Sequence, residues 1–219
     1  MIYVLIAIVL FAALSMTLGR QTDNSEASDL DDGKAELYAT QLIAYATQAK
    51  SAVDQMMFSS TSIDELDFTL PSEAGFNSAP TMHKVFHPDG GGLNAVALPE
   101  QAIDQNIADP VAGWYMGRFE NVEWTETSGT DVILIAYQVK KKICEKINQN
   151  VTGTTTIPQL TTTIRNVFID DAIHAGGNVE LTTDPAGTPI CATCHKRASL
   201  CVEDVVPGTY GFYTILADR

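Results

Sequence analysis

The sequence predicts an α+β domain carried on a long N-terminal helical spine, and three stretches of the chain support this fold class. Residues 1–18 form an uncharged apolar run, residues 35–57 repeat apolar side chains at helical spacing, and residues 209–217 are β-branched and aromatic, as in a strand. We expect a helical unit over residues 1–57 and a globular head over residues 58–219, with a small antiparallel sheet and a second helix.

The apolar run at residues 1–18 is long enough to cross a membrane. As a helix it spans about 27 Å, close to the hydrocarbon thickness of a bilayer. No Lys or Arg precedes it and Arg20 follows it, so it lacks the basic flank of an intact secretory signal. Its small side chains favour close packing against other helices: Ala7, Ala12, Ala13 and Ser15.

The rest of the chain is long enough for one globular domain with its own core. Its charge is strongly unbalanced, because 27 acidic residues outnumber 13 basic ones and give a formal net charge of −14. A phosphate backbone is recognised by basic surfaces, so this composition disfavours nucleic-acid binding.

The head is predicted from local patterns. Apolar spacing with good helix formers supports the helix at residues 35–57, and Pro and Gly between Pro71 and Gly92 predict loops. The other predicted elements, in chain order, are one or two strands within residues 114–125, a helix over residues 131–148, an extended stretch over residues 152–163, a short strand at residues 179–183 and the final strand.

Four cysteines are expected to pair as two disulfides in an oxidising compartment: Cys144, Cys191, Cys194 and Cys201. Three connectivities are possible for four cysteines. We expect Cys144 to join the C-terminal group, which would tie the helix predicted at residues 131–148 to the loop before the final strand. Such a crosslink removes roughly 4 kcal/mol of unfolded-chain entropy in the simple loop-closure account.

The string Cys191-Ala192-Thr193-Cys194-His195 also matches the C-x-x-C-H pattern that attaches c-type haem. In that alternative Cys191 and Cys194 would form thioethers and His195 would bind the iron. The Lys196 and Arg197 that follow are unlike an apolar haem pocket, and disulfides are the favoured use of these sulfurs. Zinc held by the three C-terminal cysteines with His195 or Cys144 is a weaker alternative in an oxidising compartment.

No other motif predicts catalysis or a cofactor. His83 and His87 lie four residues apart, but Pro88 and the glycines at residues 90–92 argue against a helix that would align them on a metal. The glycine run lacks the Lys-Ser/Thr of a phosphate loop, and no nucleophile motif is present. We therefore expect a protein that is not an enzyme and has no cofactor.

Taken together, the uncharged apolar start, the helical continuation to residue 57, the α+β remainder and the C-terminal cysteines resemble a mature type IV pilin or pseudopilin. In that family a peptidase removes a short basic leader just before the apolar segment, and the same processing is expected before Met1. The family usually has a glutamate at the fifth mature position, where this chain has Leu5. Family members without that carboxylate are often minor or tip subunits.

The resemblance implies a structural subunit of a helical filament. Its partners would be other copies of itself, the pilus assembly machinery of the inner membrane, and the membrane before assembly. The subunit would lie in the inner membrane and then in a cell-surface or periplasmic filament. The residues expected to contact neighbouring subunits are Leu5, Ala7, Ala12, Ala13 and Ser15.

Two other functions compete with this interpretation. A membrane-anchored c-type cytochrome would use haem c at the C-x-x-C-H string. A single-pass anchored binding or enzyme domain would bind a ligand near residues 82–92.

Overall fold

The computed structural model of the chain describes residues 32–118, 131–169 and 190–218. The helices are α1 (residues 32–58), α2 (Lys141–Thr152) and α3 (Ile164–Phe168), and the strands are β1 (Gly113–Arg118), β2 (Val132–Tyr137), β3 (Ser199–Glu203) and β4 (Tyr210–Ala217). The apolar run at residues 1–18 and the strand predicted at residues 179–183 lie outside the described residues. No helix in the described ranges has both the length and the apolar character needed to cross a bilayer.

The four strands form one antiparallel sheet in the order β1-β2-β4-β3. Strands β2 and β4 occupy the centre, and every residue of both is buried. Strands β1 and β3 lie at the two edges of this sheet. The α+β class predicted from the sequence is therefore confirmed, with a small antiparallel sheet and more than one helix.

Both faces of the sheet are covered, and β2 shows how. Its residues Val132, Leu134 and Ala136 point to a first face, where they pack with α1 and α2. The alternate residues point to a second face that packs with α3: Ile133, Ile135 and Tyr137. Side chains of a strand alternate between faces, so a strand covered on both sides is apolar at every position.

Helix α1 contributes one buried row to the first face. Its members are mostly small and almost fully buried: Ala35, Ala39, Leu42, Ala46, Ala49, Val53 and Met56. Alanine side chains let the helix axis approach the sheet closely. The helix predicted at residues 35–57 is confirmed, and from residue 32 onward it belongs to the core of the head.

The single helix predicted over residues 131–148 is wrong. The stretch contains the buried strand β2, a turn at Gln138 with φ of 61°, and then α2. A strand buried on both faces reads as a continuous apolar run, so its spacing also matches a helix. The loop expected before the final strand is likewise wrong in part, because Ser199–Glu203 forms β3.

Other predictions hold. The final strand is β4, and residues 59–112 form turns and extended pieces without a regular strand or α-helix. The aromatic stretch at residues 114–125 contains most of β1, and its part beyond residue 118 lies outside the described residues.

The glycine run at residues 90–92 is a tight turn. A Cβ on Gly91 would lie 2.5 Å from the Val85 carbonyl oxygen and 2.9 Å from Met56 Sδ, and one on Gly90 would collide with the Lys84 carbonyl oxygen. The residue following them, Gly92, has φ of 61°. These glycines are needed because backbone passes close to backbone, which agrees with their interpretation as a turn rather than a phosphate loop.

Beside this turn, the buried Lys84 holds the loop together. Its ammonium donates to the backbone carbonyls of Phe76 at 2.9 Å and Ser78 at 2.6 Å, and also to that of Gly75. A buried charge is costly unless polar groups surround it, and here three carbonyl dipoles do so. The loop at residues 75–78 is thereby fixed to the turn at residues 84–92.

Replacing Gly91 by alanine is expected to lower the free energy of unfolding by about 1–3 kcal/mol, because the added methyl group meets backbone that cannot move aside. Guanidinium unfolding of the full chain in a non-ionic detergent, followed by circular dichroism, measures this. Gly33→Ala is the matched control, since a Cβ there meets nothing within 4 Å. Equal stability of the two variants would contradict the close approach.

Candidate functional site: the cysteine pairs and the outer face of the first helix

The residues predicted to contact neighbouring subunits, namely Leu5, Ala7, Ala12, Ala13 and Ser15, all lie outside the described residues. The structure does describe the four cysteines, His195 and α1 from residue 32 onward. These are the parts of the predicted site whose geometry can be described.

Cys144 on α2 is bonded to Cys201 on β3, with 5.4 Å between their Cα atoms. This agrees with the expected link between Cys144 and the C-terminal cysteines. The crosslink joins the helix to an edge strand rather than to a loop, and both side chains are fully buried in the first face.

Asn148, one helical turn after Cys144, holds the same residue of β3 by hydrogen bonds. Its Oδ1 accepts from the Cys201 N–H at 2.8 Å, and its Nδ2 donates to the Cys201 carbonyl at 2.9 Å. The amide also donates to the Thr156 carbonyl at 2.8 Å. The buried side chain thus replaces a neighbouring strand along this part of β3.

The Glu203 end of the β3 edge is paired with the segment after α2. The N–H of Glu203 donates to the Pro158 carbonyl at 2.9 Å, and the N–H of Leu160 donates to the Glu203 carbonyl at 2.8 Å. An open strand edge is a template for unwanted pairing, and here its polar groups are used. Sequence analysis did not single out Asn148, although its spacing of four from Cys144 placed both on one face of a helix.

Cys191 and Cys194 are bonded to each other across the short turn Ala192–Cys194. Both side chains are buried in the second face, whereas His195 is exposed. A disulfide and a pair of thioethers are alternative uses of the same sulfurs, so haem attachment would require reduction of this bond first. A zinc site would require the same, because its ligands are thiolates.

The two histidines of the glycine-rich stretch lie in successive turns. His83 ends the turn Thr81–His83, and Nδ1 of His87 accepts from the Asp89 N–H at 3.1 Å while its ring lies 5.0 Å from that of Phe76. Among the residues that the structure describes, no group of three or more His, Cys, Asp or Glu side chains is placed to hold a metal ion.

The solvent-facing side of α1 carries a row of uncharged residues that we call the outer row. Its seven members are spaced alternately by four and three positions, and all are exposed: Leu37, Gln41, Ala44, Gln48, Ser51, Gln55 and Phe58. The two apolar ends are strongly exposed, Leu37 by 53% and Phe58 by 93%. Alternate spacing of four and three is that of residues which pack helix on helix.

Two ion pairs on α1 lie near the outer row. Lys50 pairs with Asp54 at 2.9 Å and also donates to the Leu216 carbonyl at 3.0 Å. Asp32 pairs with Lys142 of α2 at 2.7 Å, and this hydrogen bond lowers the pKa of the Asp32 carboxyl. Lys50 thus links α1 to the sheet, and Asp32 links it to α2.

Comparison of the chain with protein-family models, with curated proteins and with solved structures finds no match. The fold and the site define a class only: an α+β domain in which one long helix lies on a four-stranded antiparallel sheet stabilised by disulfides.

Replacing Cys144 and Cys201 together by serine is expected to lower the free energy of unfolding by about 4 kcal/mol, because the crosslink spans 57 positions. The matched control replaces Cys191 and Cys194, whose crosslink spans 3 positions, and is expected to cost about 1–2 kcal/mol. Guanidinium unfolding of the unreduced full chain measures both.

A larger loss in the control would contradict the assignment of Cys144–Cys201 as the stabilising crosslink. The same unreduced preparations are expected to be colourless and to show no alkylated cysteine after unfolding. A Soret band together with a loss of the Cys191–Cys194 bond would instead favour the cytochrome.

Proposed function

We propose that this protein is a structural subunit of a type IV pilus-like filament and that the outer row of α1 packs against helices of neighbouring subunits. The outer row is the observation that carries this proposal. None of its seven side chains, from residue 37 to residue 58, is charged, in a chain whose net charge is −14.

The side chains of the outer row suit close helix packing. Ala44 and Ser51 are small enough for a second helix to approach, and the glutamine amides of the row can hydrogen-bond to those of a neighbouring helix. Leu37 and Phe58 expose apolar surface that association would bury. A helix that served only to cover the sheet would gain solubility from charge on this side.

The sequence upstream of α1 supports the same proposal. The apolar run at residues 1–18 would hold the subunit in the inner membrane and then transfer into a bundle of identical helices, with contacts at Ala7, Ala12, Ala13 and Ser15. Leu5 replaces the family's glutamate, so this bundle would form without a buried carboxylate that must find a partner.

Contacts of this kind between identical subunits are heterologous and do not close, so they propagate a filament. The pilus assembly machinery of the inner membrane would supply the subunits. The proposed role is thus mechanical rather than catalytic. The disulfides and the hydrogen bonds of Asn148 would keep the head rigid while α1 makes the contacts.

Replacing Ala44 by glutamate is expected to abolish filaments, because each copy would bring an unpaired charge into a helix-to-helix contact. The readout is electron microscopy of sheared surface material from cells that produce the full chain. Ala198→Glu is the matched control: the same change at an exposed position beside β3 should leave filaments intact.

Retention of the folded structure separates failure of assembly from failure of folding. Both variants should keep the circular dichroism and unfolding midpoint of the parent chain in detergent. Ala13→Glu, within the apolar run, should also prevent assembly. Normal filaments from Ala44→Glu would contradict the proposed role of the outer row.

A further inference from the structure

A cleft of about 540 Å³ opens between the edge strand β1, helix α1 and the loops before β1. It lies on the side of the sheet away from β3 and is separate from the cysteines and the outer row. Its lining is largely aromatic and aliphatic: Tyr45, Phe68, Leu70, Glu73, Phe86, Ala95, Val96, Ala97, Trp114, Tyr115, Met116 and Leu134.

Aromatic rings form its walls and are held in place. The rings of Tyr45 and Trp114 lie 4.8 Å apart at 49°, and the Tyr45 hydroxyl donates to the Asn94 carbonyl at 3.0 Å. Phe86 and Leu134 are buried beneath them. The cleft is therefore pre-formed, with its aromatic groups fixed by α1 and by the segment beside Asn94.

Among the described residues of the lining, Glu73 carries the charge, and none is Lys, Arg or His. Burial raises the pKa of Tyr45, so this phenol stays neutral at neutral pH. At the border, the guanidinium of Arg118 lies 5.5 Å from the centre of the Phe68 ring, an arrangement in which an aromatic face attracts a cation.

One wall of the cleft offers backbone groups. Ala95 and Ala97 are exposed, lie in a segment without regular secondary structure, and make no backbone hydrogen bond within the described ranges. Residues two apart turn their N–H and C=O groups to the same side when a segment is extended, so this wall can pair with an added strand that draws it straight. Nearby Leu70 and Val96 are 37% and 46% exposed and form an apolar rim.

We propose that this cleft binds an extended segment of a partner protein that places an Arg or Lys side chain among the aromatic rings, facing Glu73. The partner's backbone pairs with Ala95 and Ala97. We choose this occupant by charge complementarity, because the aromatic rings and the Glu73 carboxylate attract a cation. The apolar lining suits the aliphatic part of an Arg or Lys side chain. A second copy of this acidic chain matches the cleft less well. The proposal does not depend on filament assembly.

The experiment uses the full chain in detergent and two peptide probes with blocked ends. One is Thr-Val-Arg-Val-Thr, and the other carries norleucine in place of arginine. Titration calorimetry is expected to show about tenfold tighter binding of the arginine peptide, because cation–π and carboxylate contacts are lost with norleucine. Methylation of the peptide nitrogens on either side of the arginine should weaken binding about tenfold, since it removes strand pairing.

Variants of the cleft test the two recognition elements. Glu73→Gln keeps an oxygen that can accept from the Leu70 N–H and should weaken the arginine peptide about threefold without affecting the norleucine peptide. Asp218→Asn makes the same change of charge at an exposed residue outside the cleft and should change neither affinity. Trp114→Leu should lower the affinity for both peptides.

Several results would overturn the proposal. Equal affinity for the arginine and norleucine peptides would show that the cleft does not select a cation. Propylguanidine binding as tightly as the peptide, or no loss on backbone methylation, would show that it takes a small organic cation instead. No saturable binding of either peptide would reject the cleft as a docking site for an extended segment.

Discussion

Helix α1 packs a row of small side chains onto the first face of the sheet, and this contact sets the direction of every other side chain on the helix. Ala39 and Ala49 are fully buried there, so the opposite side of α1 must face solvent. The outer row is the consequence of that geometry. Because α1 packs onto the sheet from Ala35 to Met56, the head itself holds this helix in place.

The two edges of the sheet differ, and the difference explains why the proposed cleft lies beside β1. At β3 the edge is closed by Asn148, by the disulfide to Cys144 and by the segment around Pro158. At the β1 edge the described residues instead form an aromatic cleft with open backbone beside it. The β3 edge is therefore stabilised, and the β1 edge borders the cleft that we propose binds a partner.

The sequence predicts α1 and β4 correctly because their local patterns are strong and agree with the tertiary structure. The even number of cysteines likewise predicts two disulfides. The pattern of residues 131–148 wrongly predicts a single helix, because strand β2 is buried on both faces and its apolar residues do not alternate with polar ones. The pairing of Cys144 with Cys201 could not be chosen among three connectivities, since sequence does not give distances. The cleft could not be seen either, because Tyr45, Glu73 and Trp114 meet only after α1 docks on the sheet.

The central claim is that the outer row is buried between subunits in assembled material. Ser51→Cys in the outer row and Ser72→Cys in a loop introduce the same group at two positions that are exposed in the single chain. Maleimide labelling of detergent-solubilised chain and of sheared filaments compares the two states. The account predicts that both cysteines react in the solubilised chain and that only the cysteine at position 72 reacts in filaments. Equal labelling of position 51 in filaments would contradict it.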